Sequence, residues 1–241
     1  MSPVPEADRL PFFVFIVESP SNRDIYLGRG EGRPLAEVIQ LCGVSAVSRM
    51  AIDREAFSAA LFIGLLNEMK SRPGVLPILH ISAHGNGDGI QLSSGELIKW
   101  RDLKELLKPL NAALSGGLFL CFSTCEGYAG IRMAMYPEEK ELPYYALVGC
   151  AKSPTWAEAA VGYATLYHHL AKGEYVSDAV KAMCVASGND AFFLEKAEVS
   201  KQGYVDYLKT LNATKVQQSL EQVTDKQPAS EMAKALAAPE A

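Results

Sequence analysis

The chain has 241 residues, 49% of them hydrophobic and 21% charged, with a formal net charge of −5 at pH 7. That is the ordinary globular range, with length enough to bury one sizeable core. Scattered Lys and Arg exclude the basic footprint that nucleic acid requires, and the longest apolar runs, 10–17 and 56–66, fall short of the roughly 20 residues of a membrane helix. The N-terminus MSPVPEADRL lacks a basic region and a cleavable apolar core. The expectation is therefore one soluble, cytoplasmic domain with neither a nucleic-acid nor a membrane partner. Five cysteines, odd in number, set mostly in apolar runs and without a CxxC pair, point to reduced thiols rather than a disulfide framework.

In chain order, FFVFIVES (12–19) reads as the first strand and the glycine-rich stretch 27–34 as a mobile surface loop, since it has neither GxGxxG nor GxxxxGK[ST] spacing. Residues 33–43 carry apolar positions at helical spacing and stop at Gly43. A second strand follows at 43–50. A helix over 53–70 is N-capped by Asp53. VLPILHISA (75–83) is the third strand, GIQLSSGELIKWRDL (89–103) a β-hairpin inserted after it, GLFLCFST (117–124) the fourth strand and YYALVGC (144–150) the fifth. A helix over 155–173 opens on the Thr155/Glu158 capping box and ends at Gly173, and another begins after Ser177. From about residue 213 the chain turns polar and Ala-rich, a frayed helix or disordered tail after a domain at 1–212. Nearly continuous apolar strands alternating with helices predict a three-layer α/β/α architecture with a mainly parallel central sheet.

Two apolar runs end on chemistry. The third strand stops at His84-Gly85 and the fourth leads into Cys125, followed by Glu126-Gly127. If the two strands are parallel neighbours, both ends meet at the sheet edge where open α/β folds put their sites. A cysteine is a nucleophile only as thiolate, and a histidine within reach takes the proton and returns it to a leaving amine. The N–H groups of Gly85 and Cys125 would face the oxyanion of a tetrahedral intermediate, with Gly85 allowing close approach and a positive φ. A two-His, two-Cys zinc site is the competing arrangement. It fails because His80 and Cys121 lie two strand steps inside, roughly 13 Å from the edge; both are expected to be core residues. His168 and His169 fall late in a helix, where an imidazolium suits the dipole.

An apolar strand ending in His-Gly, a hairpin, then an apolar strand ending in Ser-x-Cys-x-Gly resembles the caspase-like cysteine peptidases of clan CD, above all bacterial CHAT domains. The similarity extends over SRMAIDREAFSAAL, GIQLSSGELIKWRDL and LVGCAKSPTWAEAAVGYATLYHHLAKGEYVSDAVKAM, about residues 10 to 190. The resemblance implies a caspase-like fold and a cysteine endopeptidase that acts on a protein or peptide through an acyl-enzyme. His84 would be the base and acid, Cys125 the nucleophile, and Gly85 with Cys125 the oxyanion hole. It implies no metal or organic cofactor, no third member of the dyad that the sequence makes plain, and possible latency until a regulatory protein partner acts. Ser123, two before the nucleophile, stands where relatives often have Gln, Glu or Asp, so the preferred side chain stays open. Asp24 and Arg23 after the first strand, and Ser153 to Trp156 after the fifth, are further substrate-binding candidates. The alternative from another class is a non-catalytic module that keeps the fold for interaction or sensing.

Overall fold

The computed structural model describes residues 11–225, with side chains to residue 215. The expectations for residues 1–10 and for the end of the tail, 226–241, fall outside the described residues. The strands are β1 (Phe12–Ser19), β2 (Ala46–Met50), β3 (Leu76–Asn86), β4 (Gly89–Gln91), β5 (Leu97–Lys99), β6 (Phe119–Ser123), β7 (Ala146–Cys150) and β8 (Phe192–Lys196). The helices are α1 (Asn22–Tyr26), α2 (Gly32–Leu41), α3 (Arg54–Ala59), α4 (Leu66–Ser71), α5 (Trp100–Ala113), α6 (Trp156–Ala171), α7 (Val176–Ser187) and α8 (Ala197–Asp225).

The sheet runs β2-β1-β3-β6-β7-β8. Every neighbouring pair in it is parallel except β7 with β8, which are antiparallel. Alternation along the strands divides the core in two. Phe13, Phe15, Leu79, Ile81, Leu120 and Phe122 pack on one face under α3, α4 and α5. Val14, Ile16, Ile78, Cys121 and Val148 pack on the other under α2, α6 and α7. Each large side chain so buried is worth about 1.5–3 kcal/mol of transfer free energy, and covering both faces is what fixes the strands in register.

Local signals explain the helix starts. Asp53 accepts from the Ala56 N–H at 2.8 Å, and Thr155 and Glu158 form the reciprocal capping box of α6. The helix expected over 53–70 is interrupted by a π-helical segment, Ala60–Leu65, which keeps Leu61 and Leu65 in the core.

Several expectations need correction. The second strand starts at Ala46, because Cys42 and Gly43 still close the helix before it, Gly43 at φ 80°. The hairpin is shorter than 89–103: β4 pairs antiparallel with both the end of β3 and β5, and α5 takes over at Trp100, whose buried ring is core. The surface loop is shorter than 27–34: residues 27–30 are exposed, but Glu31 and Gly32 are buried and Gly32 opens α2. The compact body ends at Lys201. From Gln202 a separate unit continues as helix to Asp225, with Asp206 bonded to both Gln202 and Lys209.

Candidate active site

The β3–β6 register ends with Ser82 opposite Ser123. From there β3 continues to His84, while the chain leaves β6 in a turn through Thr124 and Cys125. Both His84 and Cys125 line one small cavity of about 60 Å³, together with Ser123, Thr124 and Trp156. The imidazole of His84 is 41% exposed and the thiol residue half-buried. Just past the cysteine, Glu126 is held left-handed at φ 53°, a conformation that costs a non-glycine residue about 1–2 kcal/mol. Its N–H donates to the Lys152 carbonyl at 2.9 Å, and Gly127 then opens a 3₁₀ helix, Gly127–Ala134. This sharp turn sets Cys125 on the rim and not in the sheet.

Gly85 is required by space and not by dihedral angle. A positive φ was expected, but Gly85 continues β3 opposite Ile90 and is absent from the left-handed glycines. A Cβ there would stand 2.2 Å from Thr124 Oγ1, 2.9 Å from the Gly89 carbonyl oxygen and 3.2 Å from that of Cys125. Only a glycine lets the His84 strand and the Cys125 turn come this close.

Behind His84 stands a carboxylate. Asp24 lies in α1, capped by Ser21, and its Oδ2 is 2.6 Å from His84 Nε2 while the Ser21 hydroxyl donates to the same oxygen. Burial works to raise the pKa of Asp24, yet the Ser21 and His84 hydrogen bonds outweigh it and hold the carboxyl below its usual value of 3.8. Asp24 is thus held against the imidazole and is not among the residues that line the cavity.

The remaining candidates separate. Ser123 is buried at the floor of the cavity, and the Trp156 ring meets the His84 ring edge-on with centroids 6.2 Å apart. Arg23 and Ser153 are exposed and do not line the cavity. His169 pairs with Glu174 at 2.8 Å, and His168 Nδ1 lies 3.6 Å from Cys42 Sγ.

Sequence reasoning missed Glu31. Its Oε2 accepts from Ser82 Oγ at 2.6 Å and its Oε1 lies 3.8 Å from His80 Nε2, all within the core. Burial works to raise its pKa, but His80, Ser82 and Ser123 hold it below 4.5. The N–H groups of Glu31 and Gly32 donate to Glu18 Oε1, which thereby caps α2. No spacing rule ties a residue of a glycine-rich stretch to serines on two strands, so only the string GRGEG was visible. His80 Nδ1 is taken by the Tyr167 hydroxyl at 2.9 Å, and among the described residues no group of three or more His, Cys, Asp or Glu is arranged to hold a metal ion. All five cysteines are free thiols, and no described helix is long and apolar enough to cross a membrane.

No family model matches the sequence, and no curated protein matches it. The fold is similar to that of solved cysteine proteases. A secreted C11 cysteine protease from Bacteroides thetaiotaomicron, in complex with an irreversible peptide inhibitor, matches with TM-score 0.51 and 10% identity over 79% of this chain and 67% of that one. The Arg-specific cysteine proteinase gingipain R matches with TM-score 0.45 and 9% identity over 75% of this chain and 43% of that one. The complex of Porphyromonas gingivalis RgpB pro- and mature domains matches with TM-score 0.47 and 10% identity over 79% and 48%. This chain thus spans about half the length of the two gingipain chains. The architecture is the three-layer caspase-like α/β/α fold with a mainly parallel sheet.

Proposed function

We propose that the chain is a cysteine endopeptidase that cleaves a protein or peptide through an acyl-enzyme, as expected of a CHAT-like member of clan CD. The observation that carries this reading is the convergence of His84 and Cys125 on one cavity with Asp24 on Nε2 of the imidazole. An ionised carboxylate only accepts hydrogen bonds, so Nε2 carries the proton and Nδ1 keeps the lone pair. Nδ1 takes the thiol proton of Cys125, and the thiolate attacks the peptide carbonyl carbon. The N–H groups of Gly85 and Cys125 hold the developing oxyanion. Collapse of the intermediate breaks the C–N bond, the imidazolium returns its proton to the departing amine, and the acyl group stays on sulfur. Water then enters, gives a proton to Nδ1 and releases the acid, restoring the thiol. Asp24 is a positioning residue in this scheme, since it acts through His84.

Ser123 and Trp156 line the place the reacting bond would occupy and serve as substrate-binding residues in this reading. Five free thiols suit a reducing compartment such as the cytoplasm, and control by a regulatory protein partner is part of the reading. The test is a peptide-library cleavage profile with the purified 241-residue chain beside Cys125→Ala. Cleavage by the first and none by the second is the expected result. Equal cleavage by both would end the proposal.

A further inference from the structure

Trp156 has two faces in use. Its ring borders the His84–Cys125 cavity, and it also borders a second cavity of about 370 Å³ between α2 and α6. The walls of that second cavity are Pro34, Leu35 and Val38 from α2 and Ala160 and Ala164 from α6. Positions 156, 160 and 164 succeed one another at intervals of four and so share one side of α6. The two alanines make the room that larger side chains there would fill. Val38 and Trp156, at 38% and 37% exposure, leave apolar surface open at the mouth.

The charges beside this groove decide what it can hold. Glu31 borders it, but its carboxylate is turned inward to Ser82 and His80 and is not offered to an occupant. The other charged neighbour, Arg29, is a cation and opposes a basic side chain. The dyad cavity itself, at about 60 Å³, is far smaller than the groove. Extended peptide advances roughly 3.3–3.6 Å per residue, so three residues reach about 10 Å from the attacked carbonyl. Both cavities share Trp156 as a wall, so a peptide lying across that residue can offer a side chain to each.

We infer that the α2–α6 groove is a specificity subsite for a large apolar side chain of the peptide substrate, such as Leu, Met or Phe, within three residues of the cleaved bond. The inference rests on the peptidase reading for its occupant, but its test does not. Immobilised eight-residue peptide arrays are probed with the full-length Cys125→Ala chain, and the same sequences are offered in solution to the unmodified chain for cleavage. Large apolar residues should be enriched at one position among bound peptides. Replacing that residue by Ala should weaken binding about tenfold or more, the loss expected when a buried large side chain is cut to a methyl. Ala160→Trp, and independently Ala164→Leu, should fill the groove and abolish the preference, while thermal unfolding shows both variants folded. Enrichment of Lys or Arg with no apolar position, an unchanged preference in both filled variants, or no peptide binding at all would overturn the subsite. Apolar binding by Cys125→Ala without cleavage by the unmodified chain would instead remove the peptidase reading and leave the groove standing.

Discussion

The same side-chain chemistry occurs twice on the β3–β6 seam. His80 faces Cys121 across the register, with the Glu31 carboxylate 3.8 Å from the imidazole. His84 and Cys125 follow one cavity farther along, with Asp24 on the imidazole. The inner set is wholly buried, and burial pushes the Cys121 thiol up to about 12 against the small opposing effect of Tyr167. A thiol so placed is not a thiolate at neutral pH. The outer set reaches the rim, where a substrate can touch sulfur and imidazole together. The pair of carboxylates comes from one stretch of chain, the segment between β1 and α2, so a single connection reaches both the inner, buried cluster and the outer one at the cavity. What separates them is position relative to the end of the sheet, not residue type.

Substitutions should break this comparison unequally. Cys125→Ala is expected to abolish peptide cleavage and His84→Ala to lower it by about 10²–10⁴-fold, whereas Cys121→Ala, read on the same peptide, should stay within a few-fold of the unmodified chain. Asp24→Asn should cost on the order of 10² in turnover by freeing the imidazole to take the wrong tautomer. That loss should fall on kcat, while the thermal unfolding midpoint at neutral pH drops only slightly. The inner set should respond in stability instead. His80→Ala strips the Tyr167 hydroxyl of its partner and Glu31 of its nearest cation-forming group, for about 2–4 kcal/mol by urea unfolding, with activity per folded molecule preserved.

The smallest effect is on acid stability. The folded pKa of Asp24 is lowered below 3.8, so its contribution is fully present above that value and is lost as pH falls through the folded one. Unfolding midpoints of Asp24→Asn and the unmodified chain should therefore differ above pH 3.8 and draw together below it.

The architecture was legible because both faces of the sheet are covered, so the strands read as apolar runs with His84 and Cys125 at their ends. Capping chemistry located α3 and α6 from Asp53 and from Thr155 with Glu158. β8 escaped because its pattern, FFLEK, is half-exposed on an antiparallel edge and mimics neither a buried strand nor a helix. Glu31, and the contact of Asp24 with His84, were hidden for another reason. The partners of the two carboxylates lie 51 and 60 positions away in the chain, and no local periodicity encodes such contacts. Gly85 was visible as a glycine, but the spatial reason for it, Thr124 and the Gly89 carbonyl pressed against its Cα, belongs to tertiary structure.

The difference between the two His–Cys sets is most directly measured by the rate at which limiting iodoacetamide alkylates each of the five thiols in the native chain, followed by mass spectrometry at neutral pH. Cys125 should react first and Cys121 last, and His84→Ala should slow Cys125 while leaving the order of the other four unchanged. Uniform labelling of all five thiols, or a Cys125 rate indifferent to His84, would contradict the account.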